Sequence, residues 1–351
     1  MTSKERVRAA ITRTGPDKVP AAFEAVPSVA DRLLREYRLE SMEELYKKFD
    51  VDILPLEPLY TGPELLSRKN GRGDLIKTSF WGWEDTIHQT ETDSYFITSH
   101  FPLNGARTVE EIDRHCWPNP DWFDYESIKR SCDANPDKAF VIGHEGPFQI
   151  ATFLISMDEL FLLMAAEPEV AHRIYKRMND FEMEYYERSF AAADGQIDIL
   201  RLHDDYGTQI SMLFSEPMWR DFFEENTRKL TALAHRYGVF YQQHSCGAVA
   251  PLIENFIRCG VDVLEPLQKV EGLEPETLMK TFGGRIAFHG GIDTQGLLPF
   301  GTPDQVSAEV RRYIDTLSPS GYILMASQSF EPDVPTENIE AIYSMDRTLQ
   351  R

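Results

Sequence analysis

Two periodicities alternate along this chain. Short runs of aliphatic, β-branched and aromatic residues are followed by longer stretches in which apolar positions recur three and four residues apart. The first pattern predicts strands, and the second predicts helices packed against them. The strand-like runs are residues 19–24, 51–56, 139–142, 197–202, 239–241, 261–264, 285–288 and 321–325. The helical stretches carry their own punctuation. Thr2-Ser3-Lys4-Glu5 is a capping box for a helix reaching about Thr14, and Gly15-Pro16-Asp17 ends it. Ser28 caps residues 29–37, and Ser41 with Glu44 forms a second box. Pro168 sits in a first-turn position ahead of residues 169–193. Ser215 and Pro217 open a helix that Gly238 stops, and Thr302-Pro303 open another.

Eight strands alternating with helices predict an α/β fold, a closed (β/α)8 TIM barrel. A doubly wound open sheet is the alternative, but no Gly-x-Gly-x-x-Gly follows the first strand. Residues 60–137 break the rhythm. Residues 76–80 and 94–101 have strand character around Trp81-Gly82-Trp83, Thr108 with Glu111 caps a short helix, and Trp117-Pro118-Asn119-Pro120 follows. The expected organisation is a single domain, 1–351, with 60–137 as an insertion or lid after the second strand. Trp81 and Trp83 would either close over the barrel mouth, dock a partner or pack as core, and the pattern leans to core.

Composition narrows the class. The chain has 351 residues, 42% of them hydrophobic, enough for a large core. Acidic residues outnumber basic ones by 57 to 36, a formal charge of −21, which argues against nucleic-acid and anionic-membrane partners. No apolar stretch approaches membrane-spanning length, and residues 1–6 lack a signal peptide's apolar centre. Cys116, Cys132, Cys246 and Cys259 are too few and too scattered for a disulfide framework. A reduced, cytoplasmic protein is expected.

In such a barrel the carboxyl ends of the strands form the active site. Those ends read Glu24, Glu57, His144-Glu145, His203-Asp204-Asp205, His244-Cys246, Glu265, His289 with Asp293, and Gln328 with Glu331. His244 and Cys246 project from one short turn, half of a zinc site. Glu265 ends the following strand, about 5 Å away, and is the expected third ligand. Adjacent residues leaving a strand diverge, so only one of Asp204 and Asp205 need face the mouth. Asp204, Asp205 and His289 are the candidate catalytic residues. Glu145, Gln209 and Gln328 are the candidates for binding substrate.

These residues carry a resemblance. Gly15-Pro16-Asp17-Lys18-Val19-Pro20, His100-Phe101-Pro102-Leu103, Gly146-Pro147-Phe148, Asp204-Asp205-Tyr206-Gly207-Thr208-Gln209, His244-Ser245-Cys246-Gly247, His289-Gly290-Gly291-Ile292-Asp293-Thr294-Gln295 and Pro332-Asp333-Val334-Pro335-Thr336-Glu337-Asn338 resemble the uroporphyrinogen decarboxylase superfamily, whose members are (β/α)8 barrels. Its decarboxylases bind a polycarboxylate with arginines on the first strand and an aspartate after the second. Residues 19–25 contain no arginine, and Pro58-Leu59 stand where that aspartate is expected. The chain is more similar to the cobalamin-dependent methyltransferase branch, which carries His-x-Cys and binds zinc. That branch's usual third ligand is a late cysteine, where this chain offers Ser327, Gln328 and Ser329. The resemblance implies a zinc-dependent methyltransferase that moves a methyl group between a small-molecule donor or thiol and a corrinoid (cobalamin) carried by a partner protein. A porphyrin-pathway decarboxylase and a non-catalytic corrinoid-binding module are the alternatives. A homodimer is one option for the oligomeric state.

Overall fold

The computed structural model describes residues 1–90 and 94–349. Seven strands, β1 (Ile53–Leu56), β8 (Ala139–Ile142), β9 (Ile199–His203), β10 (Phe240–His244), β11 (Val263–Glu265), β12 (Ala287–His289) and β13 (Tyr322–Ile323), form one parallel sheet in that order. Strands β2 (Leu59–Tyr60), β3 (Ser67–Lys69), β4 (Leu75–Thr78), β5 (Glu84–Gln89), β6 (Ser94–His100) and β7 (Phe123–Asp124) lie between β1 and β8 in the chain.

Residues 19–25 close the sheet into a barrel. Ala22 N–H donates to the Leu324 carbonyl at 2.9 Å, and the Ala21 carbonyl accepts from Asp52 N–H at 2.8 Å, so this segment lies between β13 and β1. All eight strand-like runs therefore become barrel staves, in sequence order. Short apolar runs with both faces buried are what a parallel sheet wrapped in helices requires.

The lower interior is aliphatic: Ala22, Ile53, Ala139, Ile199, Val263, Ala287, Ile323 and Met325 pack together. The helix Ser3–Ile11, opened by the Thr2/Glu5 capping box, plugs the bottom with Val7 and Ile11. An ion-pair cluster locks that plug. Asp52, fully buried at the start of β1, accepts from Arg6 at 2.5 Å and from the Ala21 N–H at 2.9 Å, with Arg347 3.6 Å away. One step up each strand, two residues on and facing the same way, the aliphatic layer gives way to Arg201, Gln242, Glu265 and His289. That change of chemistry inside a barrel marks the site.

Between β1 and β8, strands β3 to β6 form an antiparallel sheet, and β2 pairs with β7. Trp81 is 2% exposed, its ring 5.0 Å from Phe181 on the long helix Pro168–Ala193. It is core. Trp83 is half-buried against Phe153, and its indole N–H donates to Asp85 at 2.9 Å. Among the described residues no single helix is long and apolar enough to cross a membrane.

Candidate active site at the barrel mouth

The site is organised around the His244 imidazole at the end of β10. Strand register sets His244 beside His203 on β9 and Glu265 on β11. Its Nδ1 lies 2.8 Å from Glu265 Oε2. Its Nε2 points the other way, 3.4 Å from Cys246 Sγ and 3.5 Å from Asp205 Oδ1. Cys246 reaches that edge because the chain turns sharply after β10. Gly247 has φ +84°, and a β-carbon there would come within 2.4 Å of Gly207, so the turn packs backbone against backbone on the loop after β9. Asp205 Oδ1 accepts from the Cys246 N–H at 2.8 Å, which ties the two loops together. Gln328, from the loop after β13, places its amide nitrogen against Cys246 Sγ.

The electrostatics follow from these contacts. Burial alone would lower the His244 pKa, but the Glu265 charge and hydrogen bonds to Asp205, Cys246 and Glu265 raise it well above its ordinary value. Burial would raise Glu265, yet the His244 charge and hydrogen bond, with Arg201 behind them, hold it well below the usual carboxylate range. Burial pushes the Cys246 thiol up, with His244 opposing. Burial and the neighbouring His244 charge bring His203 down to about 3.

The donors on the Nε2 edge suit a metal. Sγ, Nε2 and Oδ1 of Cys246, His244 and Asp205 lie within 4.8 Å of one another. Ligands at ordinary zinc distances in a tetrahedron stand about 3.3–3.6 Å apart, and the 3.4 and 3.5 Å separations match. On the other edge His203, His244 and Glu265 also cluster, but 2.8 Å between Nδ1 and Oε2 is a hydrogen-bond length. The predicted set His244, Cys246 and Glu265 therefore does not converge on one point. Glu265 lies on the ring edge opposite Cys246, where its carboxylate faces Nδ1.

The other predicted residues separate. Asp205 faces the cluster, whereas Asp204 turns away from it, accepting from Tyr206 Oη at 2.7 Å and from the Gln149 N–H at 2.9 Å. In that position it anchors the start of the helix Pro147–Leu154. Burial lifts its pKa to about 7. His289 lies inside the barrel, 2% exposed, its Nδ1 3.1 Å from Gln242 Oε1. Glu145 sits at the mouth beside Glu57, whose pKa burial and the Glu145 charge raise. Gln209 is exposed on its turn, with no hydrogen bond to the cluster. Cys116 is exposed, and Cys132 and Cys259 are buried.

A family model described as uroporphyrinogen decarboxylase (URO-D) matches residues 104–348. The chain belongs to the uroporphyrinogen decarboxylase family. Uroporphyrinogen decarboxylase of Myxococcus xanthus (strain DK1622) is 24% identical to it over 266 residues, covering 70% of each protein. That of Danio rerio is 24% identical over 195 residues, 52% of this chain and 49% of the relative. A methyltransferase from Methanosarcina mazei shares the fold at TM-score 0.68 and 18% identity, over 98% of both chains.

Within this family member, sequence reasoning passed over Arg201. It lies inside the barrel on β9, ion-paired with Glu24 from the first stave. A signal was present: Arg201 interrupts the apolar run 197–202 at an inward-facing position, two residues before His203. Gln242 carries the same signal on β10, two residues before His244, and donates to Glu265 at 3.3 Å.

Proposed function

We propose that the chain is a metal-dependent methyltransferase, with zinc held by Asp205, His244 and Cys246, exchanging a methyl group between a small molecule and a corrinoid on a partner protein. The observation that carries this reading is the convergence of a nitrogen, a sulfur and a carboxylate oxygen at zinc-like separations on the Nε2 edge of His244. Three protein ligands leave one position for substrate. Zinc there supplies Lewis acidity toward the sulfur, oxygen or nitrogen that gives up or accepts the methyl group.

The protein's own residues prepare the site. Glu265 orients His244 through Nδ1, and Gln242 braces Glu265. Gln328 offers an amide hydrogen bond to the Cys246 sulfur, which tempers thiolate charge. Beside the cluster lies a chamber of about 300 Å³, lined by Phe23, Met42, Tyr46, Arg201, Gln242 and His289 among others. A corrinoid ring does not fit such a volume, which keeps it at the mouth on its carrier. Phe300, 82% exposed, borders a depression that also contains Gln328. An apolar side chain so exposed beside the site supports docking of that carrier.

Decarboxylation of a porphyrinogen is the second reading, favoured by the names of the sequence relatives. Against it, the guanidinium lining the chamber is already engaged by Glu24, and a polycarboxylate needs free arginine forks. Protein purified without chelator should contain about one zinc per chain, and a methylated corrinoid protein should lose or gain methyl groups in its presence. Metal-free protein that converts uroporphyrinogen to coproporphyrinogen would establish the decarboxylase instead.

A further inference from the structure

A single ion pair carries the charge of the chamber beside the His244 cluster. Six of its lining side chains are polar: Glu24, Tyr46, Arg201, Gln242, His289 and Ser329. Burial keeps two of the titratable ones neutral. It lowers the His289 pKa to about 4 and, with the Glu24 charge, raises that of the Tyr46 phenol. Glu24 and Arg201 remain as the charged groups, and Arg201 Nη1 donates to Glu24 Oε1. Both are accessible, with 31% of the Glu24 side chain and 12% of the Arg201 side chain exposed. The pair is built across the barrel rather than along one strand. Glu24 ends the first stave, where its carbonyl accepts from the Phe330 N–H at 2.9 Å. Arg201 is held on β9 in register with Gln242 on β10. Two staves, β1 and β8, separate them in the sheet, so closure of the barrel sets the contact.

An unpaired guanidinium on a cavity wall anchors carboxylates, because its planar fork matches two carboxylate oxygens. Here Glu24 supplies that anion from within the chain. A ligand carboxylate could reach the guanidinium only by sharing its one positive charge with Glu24 or by displacing Glu24. Sharing sets two like charges on one cation. Displacement leaves Glu24 unpaired beside Tyr46 in a partly desolvated chamber. An amide of the same shape meets neither penalty. An ammonium sharing Glu24 with Arg201 meets the same penalty with the signs reversed. The other lining residues are apolar, and about 300 Å³ is at the lower end for ligand pockets, which suits a small body.

We propose that Glu24 determines substrate specificity: by occupying Arg201 it restricts the chamber to small uncharged molecules and excludes carboxylates. The inference rests on the methyltransferase reading only in taking the occupant of the chamber as the small-molecule substrate. Its binding step needs neither zinc nor corrinoid. Glu24→Gln keeps the size and hydrogen-bonding capacity of the side chain and removes its charge. The experiment is isothermal titration of the protein as purified with acetate, butyrate and benzoate and with their amides. Wild type should bind at least one amide roughly tenfold more tightly than its acid. Glu24→Gln should bind at least one acid about tenfold more tightly than wild type does, with an affinity that falls as salt rises. Adding Arg201→Gln to that variant should remove the gain, a dependence that a purely structural role for Glu24 would not produce. Should Glu24→Gln fold poorly, the wild-type comparison of acid with amide decides. Wild type that binds no amide, or binds an acid as tightly as its amide, overturns the proposal. So does a folded Glu24→Gln without the gain, or a gain that survives the loss of Arg201. Zinc content of the same preparation tests the metal reading separately: zinc-free protein with the expected selectivity overturns only that reading, and zinc-loaded protein without it overturns only this proposal.

Discussion

The two edges of one imidazole divide the work at this site. Glu265 sits on Nδ1 at 2.8 Å, and Cys246 and Asp205 share the Nε2 side. A carboxylate on the far nitrogen fixes the tautomer and raises ligand basicity without touching the metal. On the proposed zinc site, Cys246→Ala should abolish zinc binding, whereas Glu265→Gln should weaken it by roughly 10- to 100-fold. Metal analysis and competition with a chelator would measure both. Asp205→Ala should cost more affinity than Glu265→Gln, since it removes a donor from the convergent edge. The reverse order would move the metal to the Nδ1 edge, with His203 and Glu265 as its partners.

Two contacts show how whole elements are held in place. The helix Glu225–Arg236 ends on His235, whose Nε2 lies 2.7 Å from Asp262 just ahead of β11. The hydrogen bond to Asp262 raises the His235 pKa against a smaller lowering from burial. A folded-state pKa above the unfolded value means this contact stabilises fully below about pH 6.5 and fades as pH rises through the raised value. Half-exposed as the ring is, the effect should stay near 1 kcal/mol or less. His235→Gln should flatten the change in melting temperature between about pH 6 and 8, and an unchanged profile would show the pair to be idle. The Arg6–Asp52 contact is different in kind, because both partners are buried under the barrel floor. Arg6→Ala leaves Asp52 with the Ala21 N–H and the more distant Arg347, and should cost about 3–5 kcal/mol in urea unfolding.

For the molecule as a whole, the strands between β1 and β8 are joined to the barrel through aromatic packing. Trp81, Phe80 and Phe123 all meet Phe181 on the long helix Pro168–Ala193. Trp81→Ala should lower stability by about 3–5 kcal/mol through the cavity it leaves, read in thermal unfolding. If Trp81 were a mouth-closing residue instead, the variant would keep its stability and lose ligand affinity.

The barrel was legible in the chain because alternation and capping are local properties. A run such as residues 139–142 and a proline such as Pro168 report their own backbone, and closure follows when eight β/α units succeed one another. The strand ends were legible for the same reason, since a polar residue after an apolar run marks the mouth. Direction was not. That His244, Cys246, Asp205 and Glu265 lie together could be read from their positions, but which edge of His244 each one takes depends on strand register and on the turn at Gly247. Asp204 and Asp205 differ in role only because the packing of the loops after β8 and β10 turns one toward Gln149 and the other toward Cys246. Arg201 and Gln242 became a polar layer only when closure aimed four inward positions at a common axis. Periodicity along one strand fixes which face a side chain takes, and only neighbouring strands in register fix what it meets there.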